Sequence, residues 1–330
     1  MSVNVVVVGY GSAFGMGHHH SEMIGKAIGL ELTGVCESDA ERRAAAAATE
    51  GVPTYASLHE VCADDSVDMV SLIVPHDVHA PLAIQAMEAG KHVLTEKPMC
   101  VTTAEADAMI AASKANGVML TVYNNRRLDP DFVTVKRLID EGAVGEPFMV
   151  ECAVGGARPL RGWRCSEAHG GGMIRDWGAH VLDQMCLIAD SPAKSVYAQF
   201  EHRMWTDLMD VPTHTQLMIE FESGLRAEAT FSNNMWAQKP RWLVLGEEGG
   251  LFKQAGGAGN VTWHHEVAGQ HAVTEVPCIE PDRAQLYQNV SDHLNEGAEL
   301  MVKPEQTRRY VAIYEAAYES AATGQAVKPK

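Results

Sequence analysis

Residues Val3 to Val8 form a run in which only Asn4 is not valine, and the run passes directly into Gly9-Tyr10-Gly11-Ser12-Ala13-Phe14-Gly15-Met16-Gly17. A buried strand that ends in a glycine-rich turn leaves a chain few architectures, because the next element must be a helix packed back on that strand. Such a turn lets a pyrophosphate sit against backbone N–H groups at the helix N-terminus. The strict G-x-G-x-x-G spacing is not met here, since Phe14 stands where the third glycine belongs. Gly17 can take that place if the turn carries three extra residues.

Behind this opening, short β-branched runs alternate with helical patterns, the signature of βαβ units around a parallel sheet. Ser21 to Ile28 reads as helix, Leu30 to Cys36 as strand, Ala40 to Thr49 as helix and Asp68 to Val74 as strand. Ala80 to Ala89 is a helix closed by Gly90, His92 to Thr95 a strand, Thr103 to Asn116 a helix stopped by Gly117, and Val118 to Val122 a strand. From Asn124 the texture changes. One amphipathic helix, Asp131 to Glu141, precedes long β patterns at Phe148 to Val154, Ser195 to Arg203, Thr213 to Phe221, Leu225 to Ser232, Arg241 to Gly246 and His271 to Val276. Hairpin signals such as Glu222-Ser223-Gly224 make this second sheet mostly antiparallel. Two closing helices span Pro281 to Asn295 and Glu305 to Thr323. The division expected is a nucleotide-binding domain over 1–123 and an α+β domain with a large open sheet over 124–330, its C-terminal helix able to pack back on the first domain.

Composition narrows the partners. The chain has 330 residues, room for two cores. A formal charge of −17 disfavours nucleic acid and anionic lipid, which require a basic footprint. No apolar run approaches the roughly 18 residues of a membrane span, and the N-terminus lacks the basic and apolar regions of a signal peptide. A cytoplasmic location is expected. The seven cysteines (36, 62, 100, 152, 165, 186 and 278) are scattered and contain no Cys-x-x-Cys pair, the pattern of reduced thiols. His18-His19-His20 has no carboxylate or cysteine at ligand spacing, so no metal is expected.

Two further stretches carry chemistry. Glu37 stands at the end of the second strand, where a carboxylate accepts hydrogen bonds from both ribose hydroxyls and repels a 2′-phosphate, favouring NAD over NADP. Arg42 and Arg43 follow closely and weigh against that preference. Gly170-Gly171-Gly172 gives way to a helical pattern in which Ile174, Val181, Leu182, Met185 and Ile188 share one face. Asp176 and His180, four apart, share another. An acid and a base thus border a glycine-lined stretch.

The strand His92 to Thr95 ends in Glu96-Lys97-Pro98, preceded by Ile73-Val74-Pro75-His76-Asp77-Val78-His79 and by Ala89-Gly90-Lys91-His92. With Asn125-Arg126-Arg127-Leu128-Asp129-Pro130, the Asp176 to His180 stretch and Glu315-Ala316-Ala317-Tyr318-Glu319-Ser320-Ala321, these motifs resemble the Gfo/Idh/MocA oxidoreductase family over nearly the whole chain. Gly17 and His20 fall into that family's glycine-to-histidine spacing once the insertion is allowed. The resemblance implies an N-terminal Rossmann domain with a doubly wound parallel sheet. It implies cofactor contacts at Gly9, Gly11, Ser12, Ala13, Phe14, Gly17, Glu37, Val74, Pro75, His79, Glu96, Lys97 and Asn125.

It further implies that Lys97, Asp176 and His180 meet around one substrate carbon above the nicotinamide. Lys97 stands at the C-terminal end of a parallel strand, the edge where ligands bind in such sheets, and Pro98 holds it extended. Oxidation of a secondary alcohol needs a base for the hydroxyl proton, a role assigned to His180, with Lys97 as the alternative acceptor. Tyr123, Asn125, Arg127, Trp163 and Arg164 are candidate substrate contacts. A neutral sugar or polyol is favoured over a sugar phosphate. The competing readings are a glycosidase that retains NAD and a regulator that only senses it. The open second sheet is expected to build a homodimer or homotetramer.

Overall fold

The computed structural model describes residues 2–11, 15–256 and 259–330. Ser12, Ala13 and Phe14, expected at the cofactor, lie outside the described residues. In chain order the first elements are β1 (Val3–Val8), α1 (Met16–Lys26), β2 (Leu30–Cys36), α2 (Ala40–Glu50), β3 (Thr54–Tyr55) and α3 (Leu58–Ala63). They continue with β4 (Met69–Leu72), α4 (His79–Glu88), β5 (His92–Thr95), α5 (Thr103–Asn116) and β6 (Leu120–Val122). After α6 (Pro130–Asp140) and β7 (Pro147–Gly155) come α7 (Met173–Asp176) and α8 (Gly178–Ala189). The strands β8 (Ala193–Glu201), β9 (His214–Phe221), β10 (Arg226–Ser232), β11 (Trp242–Gly246), β12 (Gly249–Lys253), β13 (Val261–Val267) and β14 (Gln270–Val276) come next. The helices α9 (Gln285–Glu296) and α10 (Pro304–Thr323) close the chain.

Two compact units result. One holds the chain up to Asn124 together with Asp282–Arg308, and the other holds Asn125–Pro281 and Arg309–Lys330. The first unit contains a six-stranded parallel sheet in the order β3-β2-β1-β4-β5-β6. Its strand order reverses beside β1, which is where doubly wound sheets bind their ligands. Val5, Val6 and Val7 are fully buried, as are Val70, Leu72, Val93 and Leu94 on the neighbouring strands. Burial on both faces explains why these strands read as continuous apolar runs. Local sequence ends the helices: Thr102 and Glu105 form a reciprocal capping box at the start of α5, and Gly117, at φ 63°, closes it.

The second unit contains an eight-stranded sheet in the order β14-β13-β12-β11-β7-β10-β9-β8. Its pairs are antiparallel except β7 with β10. Along β9 the pattern alternates, with Thr215, Leu217, Ile219 and Phe221 buried and Met218 exposed. The helices α7 and α8 contact β10, and their Ile174, Val181, Leu182 and Met185 are buried.

Two short strands escape sequence-based expectation for physical reasons. β12 begins Gly249-Gly250, and β13 carries Trp263-His264-His265-Glu266, so neither shows the apolar alternation that identifies a strand. β3 and α3 are likewise additions to the expected order, β3 being only Thr54 and Tyr55. The helix α1 begins at Met16, before the expected Ser21, because its first turns carry the polar run His18-His19-His20. One expectation changes in kind. The helix after Gly172 is interrupted at Trp177, so Asp176 ends α7 and His180 lies in the first turn of α8.

Candidate active site

The glycine turn of the first unit is shaped by close approach. A Cβ at Gly9, whose φ is +84°, would stand 2.3 Å from the carbonyl oxygen of Ile73, and one at Gly17 2.4 Å from that of Tyr10. Gly17 therefore does what a third glycine does, letting the first helix press against the turn. Tyr10 hydrogen-bonds through its hydroxyl to Glu50, and Glu50 also takes a 2.8 Å contact from His18. Burial and that carboxylate push the Tyr10 phenol up. Glu37 is buried beside the turn, with Oε2 3.3 Å from where a Cβ on Gly11 would be. Its Oε1 accepts from the N–H of Asp39 at 3.0 Å and lies 3.4 Å from Arg42. Arg43 is engaged elsewhere, donating to the backbone carbonyls of Glu37 and Ser38 at 2.7 and 3.1 Å. A backbone cradle that excludes side chains, with a carboxylate at its side, fits a dinucleotide's pyrophosphate and ribose.

Val74 and Pro75 follow β4, and Glu96 and Lys97 follow β5, all at C-terminal strand ends. His79 is fully buried, its Nδ1 2.7 Å from the carbonyl of Pro98 and its Nε2 2.9 Å from that of Val74. A neutral ring has one N–H to give, so it donates to one of these carbonyls and meets the other with its lone pair, lying between the two loops. Burial pulls its pKa down, against the two carbonyls that favour the charged ring. Glu96 accepts from the N–H of Lys97 at 2.9 Å and from His20 at 3.0 Å. Burial alone would raise its pKa, but His20 and Lys97 hold it below the usual value. Tyr123, expected at the substrate, is instead buried, its hydroxyl 2.9 Å from His19 and its ring 4.4 Å from that of His20. Burial lowers the pKa of His19.

In the second unit the three glycines have a reason of their own. Gly170 and Gly172 take φ of +68° and +95°, and a Cβ at Gly171 would strike the carbonyls of Arg164 and Ser166 at 2.4 and 2.7 Å. What Gly171 admits so closely is the loop carrying Trp163 and Arg164. Arg164 places its guanidinium 4.6 Å from the Trp163 ring centroid and its Nε 3.3 Å from Asp176. The loop is also held by Asp210, which accepts from the N–H of Glu167 at 2.7 Å, and by Arg175, which donates to Glu167 at 2.6 Å. Asn125 opens a short 3-10 turn through Leu128. Arg127, in that turn, is buried and bidentate to Asp183, both contacts being 2.7 Å. This places Arg127, expected at the substrate, in a buried ion pair. Its neighbour Arg126, absent from the expected site, lies 4.2 Å over the Trp177 ring, one residue from Asp176. The only sequence signal for it is the Arg-Arg pair. His180 is buried in the first turn of α8.

A doubly wound sheet with this turn and carboxylate defines a dinucleotide-binding protein. A model of the oxidoreductase family with an NAD-binding Rossmann fold matches residues 3–124, and the GFO/IDH/MocA C-terminal domain model matches residues 132–252. The crystal structure of an NAD-binding protein from Listeria innocua superposes with a TM-score of 0.89 at 34% identity, covering 99% of this chain and 97% of that one. The chain belongs to the Gfo/Idh/MocA family of NAD(P)-binding oxidoreductases. A Bacillus subtilis protein named scyllo-inositol 2-dehydrogenase (NADP(+)) is 28% identical over 290 residues, 80% of this chain and 79% of its own. An uncharacterized oxidoreductase of Schizosaccharomyces pombe is 35% identical over 189 residues, 55% of this chain, and the match spans 51% of that protein. Among the described residues, no helix is long and apolar enough to cross a membrane.

Proposed function

We propose that the chain oxidises a secondary hydroxyl of a sugar, glycoside or cyclitol, with NAD as the oxidant. The observation that carries this reading is Lys97, at the C-terminal end of β5 with its backbone fixed by buried Glu96, in a unit whose glycine turn fits a dinucleotide. The bound dinucleotide supplies the hydride acceptor at nicotinamide C4. His180 takes the hydroxyl proton as the C–H bond gives up its hydride, and the alcohol leaves as a ketone. Lys97 holds the reacting oxygen. Asp176, aligned by Arg164, orients the neighbouring hydroxyls, and the Trp163 ring offers an apolar face to the C–H side of a sugar.

Glu37 supports NAD over NADP, since a buried carboxylate beside Gly11 repels a 2′-phosphate. The Bacillus subtilis relative carries NADP in its name, which makes cofactor choice a direct test of this carboxylate. The experiment is a panel of cyclitols, pyranoses and polyols assayed for NADH formation with each cofactor. Turnover of at least one of them, faster with NAD, is expected. Release of free sugar from a glycoside without net NADH would replace this reading with the NAD-retaining glycosidase.

The outer face of the second sheet supports self-association. Cross-strand register puts exposed Met218, Phe252, Leu245 and Val273 on that one face. Apolar groups spread this way are covered in most oligomeric enzymes. A homodimer or homotetramer is expected by light scattering, and Phe252→Glu should lower the mass.

A further inference from the structure

The histidine run of α1 sends its three rings to three different partners. His18 reaches Glu50, His19 reaches the Tyr123 hydroxyl, and His20 turns inward, where it is fully buried. His20 Nδ1 lies 2.6 Å from the hydroxyl of Tyr287, and Nε2 lies 3.0 Å from Glu96 Oε1. The Tyr287 hydroxyl is in turn 2.9 Å from Ser71 Oγ, and both residues are fully buried. Tyr287 comes from α9, which is fixed to the turn after α1: Gln288 accepts from the N–H of Ile28 at 2.9 Å and Ser291 donates to the Ile28 carbonyl at 2.6 Å.

The chemistry of the groups sets the direction of each bond. Glu96 is held as a carboxylate and only accepts, so the His20 proton facing it sits on Nε2. In a neutral ring Nδ1 must then accept, and Tyr287, which burial keeps protonated, is the donor. The Tyr287 oxygen is left to accept from Ser71. At the other end, Glu96 Oε2 accepts from the N–H of Lys97 at 2.9 Å. Donors and acceptors alternate along the chain without a conflict. A network satisfied in this way is rigid, and breaking it strands a buried polar atom.

We propose that Ser71, Tyr287 and His20 form a positioning relay that fixes the Glu96 carboxylate, and through it the backbone that presents Lys97 to substrate. This rests on the role given to Lys97 under Proposed function. None of the three touches substrate; they act through Glu96.

The test pairs Tyr287→Phe, which removes one oxygen and keeps the ring, with two readouts. Ring-15N histidine NMR, with His20 identified by its loss in His20→Asn, should place the parent's proton on Nε2. In Tyr287→Phe the His20 signals should move toward the Nδ1–H or doubly protonated forms. In the sugar assay kcat should fall about 10-fold, the size usual for a lost supporting hydrogen bond at an active site, with KM for NAD unchanged. A parent proton on Nδ1, or identical His20 signals in the two proteins, overturns the relay. An altered signal with unaltered kcat overturns its link to Lys97. Should the parent oxidise no sugar, the functional reading fails, and the tautomer still decides the relay. If Tyr287→Phe does not fold, Ser71→Ala, which removes the donor to Tyr287 and the longer 3.4 Å contact of Ser71 Oγ with His20 Nδ1, should shift the His20 signals in the same direction; unshifted signals there overturn the relay.

Discussion

The two units hold their candidate groups by different means. In the first, polar side chains are spent on backbone and on one another across many elements: His79 lies between two carbonyls, and Glu96 joins His20 to the Lys97 N–H. In the second, charged side chains face each other in pairs, Arg127 with Asp183, Arg164 with Asp176 and Arg175 with Glu167, and two of these involve the loop that carries Trp163. The first arrangement suits a partner of fixed shape, as a dinucleotide is. The second suits a substrate that differs among enzymes, because loop side chains can be exchanged without disturbing a sheet.

The sharpest break of that comparison is chemical. Lys97→Ala should lower kcat by about 10²- to 10⁴-fold while the affinity for NAD, read by titration, stays near the parent value. A kcat within a few-fold of the parent would remove Lys97 from the mechanism. The corresponding change in the second unit's structural pair should act on stability. Arg127→Met leaves Asp183 buried without its partner, which costs about 3–5 kcal/mol, measured by urea unfolding. A loss under about 1 kcal/mol, typical of exposed pairs, would mean the pair is solvated in solution.

A smaller effect tests the carboxylate by the glycine turn. Glu37→Ala should raise KM for NAD about 10-fold and change kcat little, because ribose hydrogen bonds are made equally in ground and transition states. Discrimination against NADP should narrow as well. Equal KM values in parent and variant, for both cofactors, would assign NAD preference elsewhere.

The fold was largely legible because its strands declare themselves. Val3–Val8, Leu30–Cys36 and His92–Thr95 keep their expected bounds, since an apolar run between glycine and proline signals admits little else. What stayed hidden depends on contacts far apart in sequence. Nothing near His20 announces Tyr287, more than two hundred residues on, and nothing near Arg127 announces Asp183. Arg127 and Tyr123 have the residue types of a binding site, and only tertiary packing shows them buried against Asp183 and against His19 and His20. The glycine run stood out in the sequence only as a stretch bordered by an acid and a base. That Gly171 lets the Trp163–Arg164 loop come close could be learned only from the structure.

The smallest effect separates the units by pH. His79 has its pKa lowered by burial, so the folded chain keeps this ring neutral where the unfolded chain protonates it, below about 6.5. The unfolded state then binds more protons. The His79 contribution is therefore complete above about pH 6.5 and is lost as the pH falls from there toward the lowered value. His19, His92 and His214 are shifted the same way and add a common background, so the informative quantity is the difference between the parent and His79→Gln. That variant keeps an amide to bridge Val74 and Pro98 but has no titrating group. Between about pH 6.5 and 5 its unfolding free energy should fall less steeply than the parent's, by at most about 1.4 kcal/mol per pH unit. Parallel curves would show that the histidine titrates alike in both states. The tie between the two loops would then be one that solvent reaches, and the contrast between a backbone-locked first unit and a side-chain-paired second unit would lose its main support.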